Sequence, residues 1–145
     1  MRSERGQSLA LIAAFMLFVG LPVLILVIDG TRLYRVRSLL QAATDAACED
    51  AAITAPDFEY YKSTGEKRFV SNQFIWYQAY GTFQQALHPN GAAALEITSP
   101  TISIVPDRAR SLMDCSSSVN VPLIMVPLTV TINTSTASAI RFSSP

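Results

Sequence analysis

The sequence predicts an α+β protein with a single amino-terminal transmembrane helix that continues as a long amphipathic helix, then a second helix and a small antiparallel β-sheet. Three features of the 145-residue chain predict this order: an uncharged apolar segment near the amino terminus, helical spacing of apolar residues after it, and a final part rich in Val, Ile and Thr. We expect residues 1–28 to form a tail and the transmembrane helix, 29–55 the juxtamembrane helix, and 56–145 a small extramembrane domain.

The apolar segment is long enough to cross a bilayer. No charged residue lies between Arg5 and Asp29. Residues 9–28, at 1.5 Å per residue, span about 30 Å of hydrocarbon. A cleaved signal peptide has a shorter apolar run followed by a small-x-small cleavage site. The segment is therefore predicted to be a retained membrane helix in contact with lipids.

Small residues and a proline lie within this span. Pro22 removes one backbone hydrogen bond, so we expect a kink near residues 18–22. Small side chains at helical spacing allow a neighbouring helix to approach closely, although the glycine is less well aligned than the alanines. The predicted helix-packing face consists of Ala10, Ala13, Ala14 and Gly20.

Two residues of opposite charge lie at the carboxyl end of the span. Asp29 and Arg32 are spaced for an ion pair on one helix face at the level of the lipid headgroups. An intramembrane carboxylate with an ion or proton role is the alternative. Basic residues flank both ends of the span almost equally, so charge alone does not fix the orientation.

An amphipathic helix follows, and the next strong helix stop is Pro56. Apolar residues recur along one face at alternating spacings of three and four. This seam packs either on the protein's own domain or on other subunits, and its sequence is compatible with both. Its members are Leu33, Val36, Leu40, Ala43 and Ala47.

A second helix is predicted over about residues 66–87, beginning at a capping box of Ser63 and Glu66. Its stripe of aromatic residues is typical of core. Strands are predicted over residues 94–98, 101–105, 119–126 and 128–140. Pro122 and Pro127 favour an edge strand or a bulge over the centre of a sheet.

The sequence offers little catalytic chemistry. It has no Gly-rich phosphate loop and no nucleophile elbow, and its one histidine, His88, lies in a predicted turn. A formal net charge of zero argues against nucleic-acid binding. Cys48 and Cys115 either form a disulfide between helix and sheet or remain separate thiols. We expect a protein that is not an enzyme and has no cofactor or metal.

Several short motifs occur in the first fifty residues: Arg5-Gly6-Gln7, Pro22, the run from Val27 to Leu33, and the run from Leu40 to Ala47. With these motifs, the first fifty residues resemble the amino-terminal segment of Tad (tight-adherence) pilus-assembly proteins of the TadE/TadG type. The tail from Val130 to Arg141 resembles the closing strand of TadE-like domains. The resemblance implies a pilin-like protein of the bacterial cytoplasmic membrane, with a cytoplasmic amino terminus and an extracytoplasmic domain.

Two functions are compatible with these features. One is a Tad pilus-assembly component or minor pilin-like subunit. The other is an accessory subunit of a larger membrane complex, such as an electron-transfer assembly. In both, the chain is a structural subunit whose partners are membrane lipids and other membrane-protein subunits, contacted through the transmembrane and juxtamembrane helices, with no nucleic acid.

Overall fold

The computed structural model describes residues 3–88 and 97–141. The predicted α+β fold is confirmed: a long amino-terminal helix precedes two further helices and a three-stranded antiparallel sheet. The elements are α1 (Ser3–Phe15), a π-helical turn (Met16–Gly20), α2 (Leu21–Thr54), α3 (Phe58–Thr64), α4 (Asn72–Leu87), β1 (Thr98–Asp107), β2 (Leu112–Pro122) and β3 (Thr129–Ala139).

Among the described residues, one helical segment, Ser8–Thr54, is long and apolar enough to cross a membrane. None of its most apolar window is buried by the rest of the chain. A π-helical turn lies where the kink is predicted, and the Leu21 amide donates to the Met16 carbonyl, five residues earlier. Pro22 has no amide to continue the α-helical pattern, which accounts for a widened turn just before it.

The second half of α2 is the central helix of the domain core. Val36, Leu40, Ala43 and Ala47 are completely buried, so the predicted seam packs on the protein's own domain. The buried face continues to the carboxyl end of α2, where small residues let the sheet and α4 approach closely. The juxtamembrane helix and the domain that follows it therefore share one hydrophobic core.

The sheet has the order β1-β2-β3, with β2 in the centre. Buried and less buried residues alternate along β2, so one face packs on α2 and the other carries mainly Ser, Asp and Asn. Its buried positions are Met113, Cys115, Ser117, Val119 and Val121.

The predicted strand boundaries need correction. β1 runs continuously through Pro100, because this residue lies on an edge strand at a register shift between Thr98 and Thr101. β2 begins at Leu112, earlier than predicted, and Pro122 is its last residue. Of the predicted strand over 94–98, residues 94–96 lie outside the described part of the chain.

The second predicted helix also starts at the wrong place. Ser63 and Glu66 form no capping box, because the Ser63 hydroxyl donates to the Tyr60 carbonyl at the end of α3. Ser71 instead caps α4 by accepting from the Phe74 amide. The chain between α3 and α4 is extended, with Pro56 and Phe69 in a single β-bridge.

The aromatic stripe of α4 is only partly in the core. The buried face consists of Ile75, Ala79, Phe83 and Leu87. Trp76 and Tyr77 lie beside that face and are 37% and 60% exposed. The prediction of an aromatic core is wrong for this pair, because the buried face of α4 follows the spacing of Ile75, Ala79 and Phe83 and leaves these two rings on its flank.

Candidate functional site at the membrane-proximal end

The hairpin of β2 and β3 lies along α2 with its connecting loop toward the apolar span. Arg32, near the start of the domain, contacts Pro122 at the end of β2, whereas Cys48, further along α2, contacts Cys115 near the start of β2. β2 is therefore antiparallel to α2. The β2–β3 loop, residues 123–128, lies beside the end of the span, and the turn between β1 and β2 lies at the opposite end.

Asp29 is the first ionisable residue after the span, and it is only 6% exposed. Its Oδ1 atom accepts a hydrogen bond of 3.1 Å from the amide of Ile124. Its Oδ2 atom is buried and has no hydrogen-bond partner within the described residues. The carboxylate thus holds the backbone of the β2–β3 loop against the helix at the point where the apolar segment ends.

Arg32, about one helical turn further along, holds the end of β2 just before this loop. Its Nη1 atom donates to the carbonyl of Pro122 at 2.9 Å. The structure therefore gives each member of the predicted Asp29–Arg32 pair a contact with the hairpin. Their ion pair with each other stays a prediction.

The β2–β3 loop is apolar and exposed. Ile124, Met125 and Leu128 are 62%, 47% and 61% exposed. No charged residue occurs in the sequence between Asp114 and Arg141. Sequence analysis missed this loop because its apolar run was assigned to the strands on either side. The two prolines, Pro122 just before the loop and Pro127 within it, are the signal that marks it as a loop.

The predicted helix-packing face lies in the part of the span that the rest of the chain leaves open. Ala10, Ala13 and Ala14 are exposed. Gly20 is half-buried, and a Cβ atom placed there would lie 3.4 Å from Met16 Sδ. The alanines are therefore accessible to another helix, and that contact stays a prediction.

Three buried hydroxyl groups join α2 to the hairpin in the middle of the domain. Thr44 Oγ1 lies 2.6 Å from Ser117 Oγ and 3.0 Å from Thr134 Oγ1, and the latter two are 2.9 Å apart. Thr44 also donates to the Leu40 carbonyl at 2.7 Å. Each hydroxyl thus has a partner, which removes most of the cost of burying it. Sequence analysis missed this cluster, although Thr44 adjoins the apolar seam.

One turn beyond this cluster, Cys48 and Cys115 are joined as a disulfide with a Cα–Cα distance of 5.8 Å. The bond ties α2 to the central strand. The two cysteines are 67 residues apart in the sequence, and the loop of chain that the bond closes contains α3, α4 and β1. The disulfide therefore links the helix that carries the span to the sheet.

Two further surfaces are exposed on the domain. On α4, Trp76 stacks on Tyr80 at 4.8 Å and meets Tyr77 edge to face at 5.4 Å. Exposed aromatic clusters of this kind are typical of protein–protein contacts.

Between α2, α3 and β3 there is an open cleft of about 910 Å³, where Glu49 and Arg141 are among the lining residues.

The described residues contain no group of three or more His, Cys, Asp and Glu side chains close enough to hold a metal ion. His88 is exposed at the carboxyl end of α4. At the end of the domain next to the candidate span, polar side chains of α2 hold an apolar hairpin against the helix.

These features define a class of protein with one candidate membrane helix whose continuation is the core helix of a small α+β domain. Residues 6–52 match the family model described as putative Flp pilus-assembly TadE/G-like. The match covers about a third of the chain and confirms the amino-terminal resemblance, whereas the resemblance of Val130–Arg141 lies outside it and stays a prediction. Comparisons with curated proteins and with solved structures gave no match.

Proposed function

We propose that this protein is a non-catalytic, single-pass membrane subunit that anchors a small α+β domain within a larger TadE/TadG-like assembly. The observation that carries the proposal is the division of one continuous helical segment. Its first half is apolar and uncovered by the rest of the chain, whereas its second half is buried at the centre of the domain. Such a helix transmits the position of the anchor directly to the domain, with no flexible linker between them.

Two surfaces support a role among other subunits. The small-residue face of Ala10, Ala13 and Ala14 permits close helix packing in the bilayer. Outside the bilayer, the exposed ring cluster of Trp76 and Tyr77 provides the residue types that contribute most to protein interfaces. The seam of α2 is already occupied by the protein's own core, so a partner would contact the juxtamembrane helix on another face.

The proposed orientation places the amino terminus in the cytoplasm and the domain outside the bacterial cytoplasmic membrane. A disulfide between Cys48 and Cys115 is compatible with this orientation, because disulfides persist in oxidising compartments. The family match over residues 6–52 supports the same orientation by analogy.

Cross-linking in native membranes tests the proposed role. The tagged full-length chain is cross-linked before it is solubilised in mild detergent, and the attached proteins are identified by mass spectrometry. Pilus-assembly proteins in stoichiometric amounts would support the proposal. Electron-transfer subunits would support the accessory-subunit alternative and replace the pilus role. A chain that migrates only as an uncross-linked monomer would overturn the subunit role altogether.

A further inference from the structure

We infer that the β2–β3 loop is a second membrane-contacting element, which inserts Ile124, Met125 and Leu128 into the interfacial layer of the bilayer beside the transmembrane helix. This inference rests on the proposed membrane anchor. It adds a lipid contact made by the domain itself, far from the span in sequence.

The first support is the position of the loop. The Ile124 amide lies 3.1 Å from Asp29 Oδ1, and Asp29 directly follows the apolar segment. Ile25, one turn before Asp29, and Ile28 are half-buried, whereas Leu26 is 74% exposed. The loop therefore lies at the level where the span meets the headgroup layer, against the face that carries Asp29.

The second support is composition. Hairpin loops in water are usually built from Gly, Asn, Asp and Ser, whereas residues 123–128 are Leu, Ile, Met, Val, Pro and Leu. A cluster of exposed apolar side chains is unfavourable in water and marks a contact surface. Since this cluster adjoins the uncovered apolar surface of the span, the lipid that surrounds the span also reaches the loop.

The third support is the hydrogen bonding of the loop backbone, because an unpaired amide is costly in a layer of low polarity. The Leu123 amide donates to the Leu128 carbonyl at 2.9 Å, and the Leu128 amide donates to the Val126 carbonyl at 2.7 Å. The Ile124 amide is paired with Asp29, and Pro127 has no amide. These contacts lower the cost of placing the loop in the interfacial layer.

The residues just beyond the loop suit the headgroup layer. Tyr34 is 75% exposed on α2, and tyrosine is enriched at membrane interfaces. Arg35 and Arg37 are exposed nearby and carry charges that complement anionic headgroups. A helix and a loop at one interface would also restrain the tilt of the domain, which a single helix leaves free.

Depth-dependent fluorescence quenching tests the inference on the full-length protein with its disulfide closed. Single cysteines carrying an environment-sensitive fluorophore are introduced as Met125→Cys in the loop, Ala109→Cys at the opposite end of the domain, and Leu17→Cys in the span. The protein is reconstituted at less than one molecule per vesicle in phosphatidylcholine with a minority of phosphatidylglycerol. Lipids brominated near the headgroup or near the bilayer centre act as quenchers.

We expect shallow bromines to quench the label at position 125 at least about threefold more strongly than the label at 109, and deep bromines to quench the label at 17. Quenching at 17 but not at 125 would overturn the loop contact and leave the anchor intact. No quenching at 17 would overturn the anchor and the inference with it. The label at 125 could also move to an apolar environment only when more protein is added per vesicle, with no quenching by bromines. That result would show that a second copy covers the loop, and it would also overturn the lipid contact.

Discussion

At the scale of single residues, Asp29 shows how one side chain can both end an apolar segment and stabilise the fold. A carboxylate directly after an apolar span is expected to face the headgroups, yet this one is 6% exposed and accepts from the Ile124 amide. Burial of a charged group is costly unless it is hydrogen-bonded. The contact with Ile124 offsets part of that cost and fixes the hairpin loop beside the helix.

Asp29→Ala is expected to release the loop. It removes the acceptor of the Ile124 amide and leaves that donor unpaired, which costs about 1–3 kcal/mol in local stability. Hydrogen exchange at Ile124, measured by NMR in detergent micelles, should become at least about tenfold faster. Asp29→Asn keeps an oxygen at the same position and serves as the matched control. Unchanged exchange in Asp29→Ala would contradict the role of this hydrogen bond.

Thr44→Val is expected to destabilise the domain although it conserves shape. It removes the shared hydroxyl partner of Ser117 and Thr134, so both buried hydroxyls lose a partner and keep only each other, and the free energy of unfolding falls by about 1–2 kcal/mol. Urea unfolding in mild detergent measures the change. Thr101→Val is the control, because its hydroxyl pairs with Ser118 at an exposed site, where water replaces the lost partner. Equal effects of the two substitutions would contradict the importance of burial.

At the scale of elements, α2 is held to the sheet by contacts distributed along its length. Asp29 and Arg32 bind the loop at one end, the hydroxyl cluster lies in the middle, and the disulfide of Cys48 lies beyond it. This distribution holds β2 along α2 over the length of the domain. Displacement of the loop should therefore occur without separation of the far end.

Loss of the disulfide is expected to lower stability strongly. The bond closes a sequence separation of 67 residues, and constraint of a loop of this length in the unfolded chain corresponds to about 4 kcal/mol in the chain-entropy model. The double variant Cys48→Ala with Cys115→Ala should unfold at a lower urea concentration than the wild type. The reduced wild type is the control that keeps both side chains. A midpoint unchanged in both would show that the bond is absent or unimportant.

The sequence predicted the elements whose signals are local and missed those decided by tertiary contacts. The seam from Leu33 to Ala47 was predictable because helical spacing is a property of the segment itself. The start of α4 was missed because two serines offer capping geometry, and the extended pairing of Pro56 with Phe69 selects Ser71. The loop was missed because a short exposed apolar run has the same composition as a buried strand.

At the scale of the whole molecule, the proposed topology predicts one crossing with the two ends of the chain on opposite sides. A cysteine introduced at position 5 should react with an impermeant reagent only after the membrane is opened. A cysteine at position 109 should react from outside intact cells, and the native cysteines are protected as a disulfide. Labelling of both sites from the same side would contradict a single crossing.

The last prediction concerns what holds the molecule in an assembly. Ala13 and Ala14 are exposed in the structure, so a larger side chain there meets nothing within the chain itself. Ala13→Ile or Ala14→Ile should therefore leave the urea midpoint of the domain unchanged. It should also reduce cross-linked partner by about tenfold if a helix packs closely on this face, because the larger side chain prevents the close approach of the two helices; tenfold corresponds to about 1.4 kcal/mol. Leu11→Ile changes shape on the same helix without adding volume and provides the control.

Partner retention that survives both alanine substitutions would show that the span faces lipid and that the domain makes the decisive contact. Trp76→Ala should then release the partner, because this ring contacts both Tyr77 and Tyr80 and its loss would disrupt the exposed cluster on α4. The two outcomes differ in where the binding energy lies. An assembly held by the span depends on the lipid environment and is lost in harsh detergent, whereas one held by the domain persists after the membrane is removed.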